Sequence, residues 1–368
     1  MNKDHLAFLQ ELVQTPSVTG TEVAVAGMVR ERLENYADEI ETDVMGSVHA
    51  RVYGTAHGKT VEDGEVNLPT VPTVMVAGHM DEIGLMVHYI SEEGFLSVSA
   101  VGGVDAGLLP GLRMDVHTES GVLRGVVGRA PIHLVPADDR KKVTPINKLV
   151  IDLGLPAKEV MKKVTIGDTV TYGVGFEEFG RKLAVSRAFD DKAGVFVACR
   201  VAEELAKLKS VKADYVCCAT VQEEIGLRGG ATSGYNVNPE VAIAVDVTHA
   251  TDYPGINQTK HGKIELGAGP VIGRGPNINP VVYERLVAAA KKEKIAYQIE
   301  AEPGVTGTDV GQMQVQRGGR ATGVVSIPLR YMHTPTEVIS LDDIEACIKL
   351  LVRFVRDLDE DVSFVPGM

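Results

Sequence analysis

The chain has 368 residues, of which 44% are hydrophobic and 24% are charged, an ordinary composition for a globular protein with a well-buried core. Its formal net charge of -13 argues against binding to the phosphate backbone of nucleic acids, which depends on clustered lysines and arginines. The sequence contains no run of about 18 apolar residues, so it predicts no membrane-spanning helix. The charge and this missing run lead us to expect neither a nucleic-acid nor a membrane partner. The four cysteines form no C-x-x-C pair, which predicts buried free thiols and a cytoplasmic location.

The N-terminal region begins with helices and continues with strands. A first amphipathic helix is expected to have Asp4 as its N-cap, and a second helix follows it. Strand-like segments come next at residues 40–42 and 48–52, and a polar stretch without periodicity predicts an exposed loop at residues 54–67. The apolar run at residues 73–77 predicts a strand that is buried on both faces, as in a parallel sheet.

The middle of the chain has a different pattern. Between residues 86 and 178, short strand-like runs such as 122–127 and 169–172 are separated by glycine, proline and charged clusters. This pattern predicts a small β-rich module. We expect it to be inserted between residues 1–85 and 179–368, which together would form one larger domain.

After residue 180, predicted strands alternate with predicted helices. Helices are expected at residues 192–207, 280–293, from about 308, and 340–358; strands are expected at residues 215–221, 241–247, 297–301 and 323–327. Asn279 is the predicted cap of the second of these helices, and Ser340 with Asp343 resembles a capping box for the last. The alternation predicts an α/β fold of three α/β/α layers around a mostly parallel sheet.

Acidic and histidine side chains follow the predicted strand ends and precede one predicted helix. They occur in five separate segments: His79 and Asp81, Asp190 and Asp191, Glu223 and Glu224, Asp246, and His333. The carboxyl ends of parallel strands meet at one edge of a sheet and form its ligand crevice. We therefore expect these side chains to converge on one site.

Carboxylates brought so close together would repel one another, and divalent cations would relieve that repulsion. Imidazole and carboxylate ligands suit zinc, cobalt or manganese. In the pair Glu223–Glu224, one glutamate could bind a metal while the other acts as a general base. In the pair His79–Asp81, the acid could orient the ring of a ligand histidine.

Several motifs resemble those of the TET-type (deblocking or glutamyl) aminopeptidases, which are dinuclear metallopeptidases; some of their relatives carry a cellulase or endoglucanase name. The motifs are GHMDEIG at residues 78–84, AFDDKAG at 188–194, QEEIGLRG at 222–229, VD at 245–246 and PLRYMHTP at 328–335, with IDLG at 151–154 and IGD at 166–168 inside the inserted module. The resemblance extends over nearly the whole chain. It implies an aminopeptidase that removes N-terminal residues from peptides with a free N-terminus.

The resemblance also implies a role for each site residue. Five residues would bind two divalent metal ions per subunit: His79 and Asp246 one ion, Glu224 and His333 the other, and Asp190 both. Glu223 would be the general base that activates a water bridging the two metals, and Asp81 would orient His79. Zn²⁺ is the expected metal, with Co²⁺ and Mn²⁺ as alternatives. The inserted module would be a PDZ-like dimerisation domain, and dimers would assemble into a homo-oligomer, a dodecamer.

Three other functions remain as alternatives. A carboxypeptidase or an amino-acid deacylase uses similar residues, but the 111 residues between His79 and Asp190 fit the aminopeptidase, whose extra module lies there. A glycosidase would need aromatic platforms for sugars, and the chain has no Trp and only 5% aromatic residues. A catalytically inactive binding protein would not need the complete set of ligands. The segment 304–309 could line a substrate pocket or simply start a helix with Thr308 as its cap.

Overall fold

The computed structural model describes residues 1–58, 60–63, 66–69, 71–208, 210–359 and 362–368. Its α-helices are α1 (Lys3–Gln14), α2 (Val23–Leu33), α3 (Ala157–Lys163), α4 (Phe189–Ala206), α5 (Arg228–Val237), α6 (Gln258–His261), α7 (Pro280–Lys292), α8 (Val310–Met313) and α9 (Leu341–Arg356). Short 3-10 helices span Ile132–Leu134, Ala137–Asp139 and Ile146–Lys148.

The strands fall into a large sheet, a barrel and a hairpin. In chain order they are β1 (Glu39–Thr42), β2 (Val48–Val52), β3 (Thr60–Asp63), β4 (Val66–Pro69), β5 (Thr73–His79), β6 (Gly84–Ile90), β7 (Leu96–Val101), β8 (Arg113–Thr118), β9 (Gly121–Val127), β10 (Val150–Asp152), β11 (Thr169–Tyr172), β12 (Glu177–Phe179), β13 (Leu183–Ser186), β14 (Asp214–Thr220), β15 (Val241–His249), β16 (Val271–Arg274), β17 (Gln298–Ala301), β18 (Ala321–Arg330) and β19 (Glu337–Ser340).

The large sheet has a parallel centre. Its strand order is β1-β2-β14-β5-β15-β18-β19-β13-β12, and β16 pairs with β18 and with β17. Strands β14, β5, β15 and β18 run parallel, and the outer strands are antiparallel. The predicted α/β fold with a parallel-rich sheet is confirmed.

Alternate residues of the central strands serve two separate cores. On β5, Val74 and Val76 pack into the core that contains α1, α2, α4 and α9, whereas Met75 and Ala77 pack into the core on the opposite face with α5 and α8. Each fully buried aliphatic side chain of this kind contributes about 1.5–3 kcal/mol. Helix α4 is buried on nearly all sides because it lies between the sheet and helices α1 and α9.

A closed antiparallel barrel forms a separate small domain between the two parts of the sheet. Its strand order is β10-β7-β6-β11-β8-β9, and it has a hydrophobic core of its own. The chain enters the barrel at Gly84, where a Cβ would lie 2.5 Å from Val18 Cγ2 and 2.8 Å from the carbonyl oxygen of Val170. Only glycine fits this junction. Because β6 begins at Gly84, the barrel starts directly after the segment that carries His79 and Asp81.

Two of the local predictions are wrong. The cap of α1 is Asn2, whose side chain accepts a 2.8 Å hydrogen bond from the N–H of His5; Asp4 lies in the first turn and pairs with Arg32 instead. The predicted exposed loop at residues 54–67 contains the paired strands β3 and β4, whose backbone groups bond to each other and need no apolar periodicity. Residues 59, 64 and 65 of that prediction lie outside the described residues.

Other local predictions are confirmed. Asn279 caps α7 by accepting hydrogen bonds from the next two available N–H groups. Ser340 caps α9, but Asp343 does not complete a capping box because its carboxylate accepts from the N–H groups of Gly267 and Gly269. All four cysteines are free and buried. Within the described ranges, no helix has both the length and the apolar character that a membrane crossing requires.

Candidate metal centre and substrate cleft

The parallel strands bring the predicted site residues to one edge of the sheet. His79 ends β5 and lies beside Thr220, the last residue of the neighbouring β14, so that Glu223 follows close by. Asp246 lies near the end of β15, beside Ser326 of β18, and His333 follows the end of β18. Because these strands run in the same direction, residues that are distant in sequence lie close together at one edge of the sheet.

Asp190 lies between the two predicted ligand histidines. Its Oδ1 is 3.1 Å from Nε2 of His79, and its Oδ2 is 3.2 Å from Nε2 of His333. Oε1 of Glu224 is 3.1 Å from the same nitrogen of His333. Two groups of potential ligand atoms, each within 4.8 Å of one another, share His79: one adds Asp190 and Glu224, and the other adds Glu223 and Asp246.

Asp81 contacts other groups besides the imidazole ring of His79. Nδ1 of His79 is 3.0 Å from the backbone oxygen of Asp81 and 3.5 Å from its carboxylate Oδ1. The carboxylate of Asp81 also accepts hydrogen bonds from the backbone N–H groups of Glu223 and Glu224 and from the hydroxyl of Thr19. This fully buried carboxylate therefore connects the histidine with the Glu-Glu segment.

The electrostatics of the site disfavour so many negative charges without a cation. Burial, reinforced by Asp246 and other nearby carboxylates, raises the pKa of Glu223 to about 9. Burial and Asp190 raise the pKa of Asp246 to about 8. Burial alone would lower the pKa of His333, but its hydrogen bonds to Asp190 and Glu224 raise it to about 11. Divalent cations would supply the positive charge that protons provide here.

The non-helical start of α4, a loop-like segment, holds Asp190 in position. The Asp190–Asp191 peptide bond is cis, and both residues keep non-helical backbone angles. The carboxylate of Asp191 accepts hydrogen bonds from the N–H groups of His79 and Gly194, so it ties this loop to the end of β5.

One buried glutamate that the sequence reasoning missed supports two predicted ligands. Oε1 of Glu337 accepts a 3.0 Å hydrogen bond from the N–H of His333, and Oε2 accepts a 3.3 Å hydrogen bond from the N–H of Asp190. The sequence signal that could have identified Glu337 is its position, an acidic residue four positions after His333. Asp309, the last residue of the segment 304–309, is buried and accepts a 2.5 Å hydrogen bond from the hydroxyl of Thr220.

The site opens into a cavity of about 480 Å³. Its lining includes the predicted ligands and Glu223, together with further residues of several elements: Leu227, Val247, Thr248, His249, Glu300, Glu302, Gly307, Thr308, Ser326 and Met332. Gly307 and Thr308 belong to the segment 304–309, for which a pocket was one of two predictions, whereas the cap position of α8 is Asp309. Glu300 and Glu302 were not predicted, although their alternate positions on and just after a predicted strand would have signalled a shared acidic face.

Comparison with known proteins identifies the family. Residues 65–350 match the model described as M42 glutamyl aminopeptidase. A lysyl aminopeptidase of Pyrococcus furiosus is 35% identical over 364 residues, which cover 97% of this chain and 98% of the relative. The crystal structure of a TET aminopeptidase from a marine sediment archaeon of the Thaumarchaeota has a TM-score of 0.88 at 30% identity and covers 97% of this chain and 98% of its own.

A second solved structure is similar over the same length. The TET1 peptidase of Pyrococcus horikoshii, which can assemble into a tetrahedron or a large octahedral shell, has a TM-score of 0.81 at 27% identity and covers 96% of this chain and 99% of its own. These matches extend over nearly the whole chain and agree with the motifs at the edge of the sheet. The chain belongs to the M42 glutamyl aminopeptidase family and is a metallo-aminopeptidase, a hydrolase of peptide bonds.

Proposed function

We propose that this chain removes N-terminal residues from peptides at a centre of two divalent metal ions. The observation that carries the proposal is the position of Asp190, whose two carboxylate oxygens each lie within 3.2 Å of a different imidazole nitrogen. A carboxylate in that position suits a bridge between two ions. The donor set of imidazole and carboxylate groups fits zinc, cobalt or manganese.

The ligands would divide between the two ions with Asp190 in common. His79 and Asp246 would hold one ion, and Glu224 and His333 the other. The cluster of donor atoms that contains His79 and Asp246, and the contact between Glu224 and His333, support this division. We propose Zn²⁺ as the native metal. When bound, the ions would lower the pKa of a coordinated water and polarise the carbonyl group of the substrate.

Glu223 would act as the general base and then as the general acid. It lines the cleft, and its Oε2 is 3.8 Å from Nε2 of His79, which places the carboxylate beside the metal ligands. Its carboxylate would take the proton of the attacking water and give a proton to the leaving amine. Asp81 would orient His79 and hold the backbone of the segment that carries Glu223.

The variant Glu223→Gln tests this assignment. We expect hydrolysis of aminoacyl-p-nitroanilides to fall by a factor of at least about 100, the lower range for a lost general base. The bound metal, measured by inductively coupled plasma mass spectrometry, should stay at two ions per subunit. The exposed Glu284→Gln on α7 is the matched control. Near-normal turnover in Glu223→Gln would reject Glu223 as the base.

A pair of substrates tests the aminopeptidase activity of this chain against the deacylase and carboxypeptidase activities. Protein stripped with a chelator and reloaded with Zn²⁺, Co²⁺ or Mn²⁺ should release p-nitroaniline from free-amine substrates and not from the acylated forms. Hydrolysis of the acylated forms alone would favour the deacylase. No hydrolysis of either form, with metals bound, would favour the carboxypeptidase.

We also propose that residues 86–178 form a dimerisation domain and that residues 1–85 and 179–368 form the catalytic domain. Exposed apolar side chains in the barrel segment, among them Leu134 at 76% and Val143 at 62% exposure, support an interface there. By analogy with the assembling TET1 peptidase, dimers would form a dodecamer. Light scattering should then give about twelve times the subunit mass of 39.4 kDa, and Leu134→Glu should reduce it. A monomer at all concentrations would contradict the proposal.

A cytoplasmic location is the last part of the proposal. Four cysteines that remain free thiols support it, because a reducing compartment keeps thiols unpaired. Fractionation of the source cells would test it, and recovery of the protein outside the cytoplasm would contradict it.

A further inference from the structure

The wall of the cleft that β17 forms has an unusual polarity. Strand β17 turns Gln298 and Glu300 inward, where they are half-buried, while Ile299 between them is 49% exposed. Glu302, two residues further along, is also half-buried and lines the cleft beside Glu300. A strand normally buries its apolar residues and exposes its charges. The reversed order on β17 places Glu300 in the cleft and leaves Ile299 exposed, and Glu302, just after the strand, adds a second carboxylate.

The backbone is shaped to bring these carboxylates close to the reaction centre. The paired strand β16 has Gly273 beside Glu300, and a Cβ on Gly275 would lie 1.7 Å from the carbonyl oxygen of Glu302. Oε2 of Glu300 accepts a 2.7 Å hydrogen bond from the hydroxyl of Thr248, which lies two residues after the proposed ligand Asp246. The acidic wall is therefore attached to the strand end that carries part of the metal site.

Neither carboxylate is neutralised by the protein. Over the ranges that the structure describes, Glu300 and Glu302 have no lysine or arginine within ion-pair distance, and the cleft is lined by neither residue type. Burial and the neighbouring Glu300 raise the pKa of Glu302, which is the effect expected of two like charges without a counter-ion. A cationic group in the cleft would remove this repulsion.

We propose that Glu300 and Glu302 bind the side chain of the substrate's N-terminal residue and make the enzyme select lysine and arginine. This inference rests on the proposed aminopeptidase function. The cleft also offers Leu227, Val247 and Met332, which can pack against the aliphatic stem of a lysine or arginine while its charged end reaches the carboxylates. An N-terminal glutamate or aspartate would be repelled by the same wall.

The experiment compares four aminoacyl-p-nitroanilides (lysyl, arginyl, leucyl and glutamyl) on metal-loaded enzyme. We expect kcat/KM of the wild type for the lysyl and arginyl substrates to exceed that for the leucyl substrate by about tenfold or more, the value of one charge-assisted hydrogen bond. The double variant Glu300→Gln/Glu302→Gln should lose about 10- to 100-fold on lysyl substrate and stay within about twofold on leucyl substrate. Glu284→Gln, exposed on α7, should leave every ratio unchanged.

A charge reversal gives an independent second readout. Glu302→Lys should lower activity on the lysyl substrate and raise it on the glutamyl substrate, so that the ratio of the two moves by about 100-fold or more. An unfolding temperature equal to that of the wild type in each variant would show that a change in activity is not caused by loss of the fold. A wild type that does not favour cationic residues would overturn the proposal.

The other outcomes separate the inference from the function on which it rests. An equal loss on all four substrates in the double variant would mean that the carboxylates bind the α-amine common to them, and would overturn the assignment to the side chain. No hydrolysis of any free-amine substrate by the metal-loaded wild type would reject the aminopeptidase proposal itself. Hydrolysis of the leucyl substrate with an unchanged preference in Glu302→Lys would reject only the specificity.

Discussion

Oδ1 of Asp81 accepts a 3.0 Å hydrogen bond from the backbone N–H of Glu223. Oδ2 accepts a second one, of 3.2 Å, from the N–H of Glu224. Because the same carboxylate lies 3.5 Å from Nδ1 of His79, one buried side chain holds a proposed metal ligand and the proposed general base in a common frame. The orientation of a histidine ring is thus only part of what this aspartate does.

The variant Asp81→Asn tests whether these contacts of Asp81 are needed for activity. Asparagine keeps one acceptor oxygen and replaces the other by an NH₂ group, so one of the two backbone N–H groups loses its partner. We expect kcat/KM to fall by about 100-fold, as for a displacement of about 1 Å at a reaction centre. Asp138→Asn, at an exposed position, is the control. Steady-state kinetics on the best substrate measure the effect, and wild-type kinetics in Asp81→Asn would contradict it.

Glu337 connects two proposed ligands that come from distant parts of the chain. Its carboxylate accepts the N–H groups of His333 and Asp190, so Glu337→Gln would place an NH₂ group against one of these donors. We expect metal affinity to fall by about 10-fold or more, as for other residues that support ligands. Competition with a coloured chelator measures the affinity. The exposed Glu178→Gln should bind metal like the wild type, and an equal affinity in Glu337→Gln would contradict the prediction.

The sequence alone could predict residues whose position follows from strand direction. The sequence places five residues near a strand end or a helix start, and parallel strands bring such positions together: His79, Asp190, Glu223, Asp246 and His333. Glu337 and Asp309 could not be predicted in this way. Glu337 contacts the backbone of Asp190 and Asp309 contacts the hydroxyl of Thr220, both far away in sequence, and no periodic pattern records such a contact.

The secondary structure, too, was predictable only where a local sequence pattern determines it. Strand β5 was predictable because its apolar run is continuous, whereas α5 was missed because glycines disfavour a helix. In α5 a Cβ on Gly229 would lie 2.4 Å from the carbonyl oxygen of Val221, and one on Gly230 would lie 2.6 Å from Oδ1 of Asp309. Close packing therefore selects glycine in this helix, and tertiary contacts override the local preference.

The barrel touches the candidate metal site through a glycine. A Cβ on Gly103, in the loop between β7 and β8, would lie 2.8 Å from Nδ1 of His333. We expect Gly103→Ala to displace this imidazole and lower metal affinity about 10-fold without a large change in thermal stability. Gly128→Ala, where a Cβ would meet no atom within 4 Å, is the control in the same domain. Unchanged metal affinity in Gly103→Ala would show that the imidazole adapts.

A buried charge cluster joins three parts of the chain close to the site. Glu82 pairs with Arg187 and, at 2.8 Å, with Nζ of Lys192, and its Oε1 accepts the N–H of Ser17. All three charged side chains are buried. Glu82→Gln would leave two buried cations without a counter-charge, which typically costs about 3 kcal/mol or more. Urea unfolding at neutral pH should show this loss, and the exposed Glu93→Gln should not.

The pH dependence of that loss identifies the ion pairs as its cause. Burial opposes ionisation, but Arg187 and Lys192 lower the pKa of Glu82 from 4.5 to about 2. A carboxyl with a lowered pKa in the folded state stabilises the fold fully above its unfolded pKa and loses that contribution as the pH falls. The difference in unfolding free energy between the wild type and Glu82→Gln should therefore shrink as the pH falls from about 4.5 to 2. A difference that stays constant down to pH 3 would mean that packing, rather than charge, causes the loss.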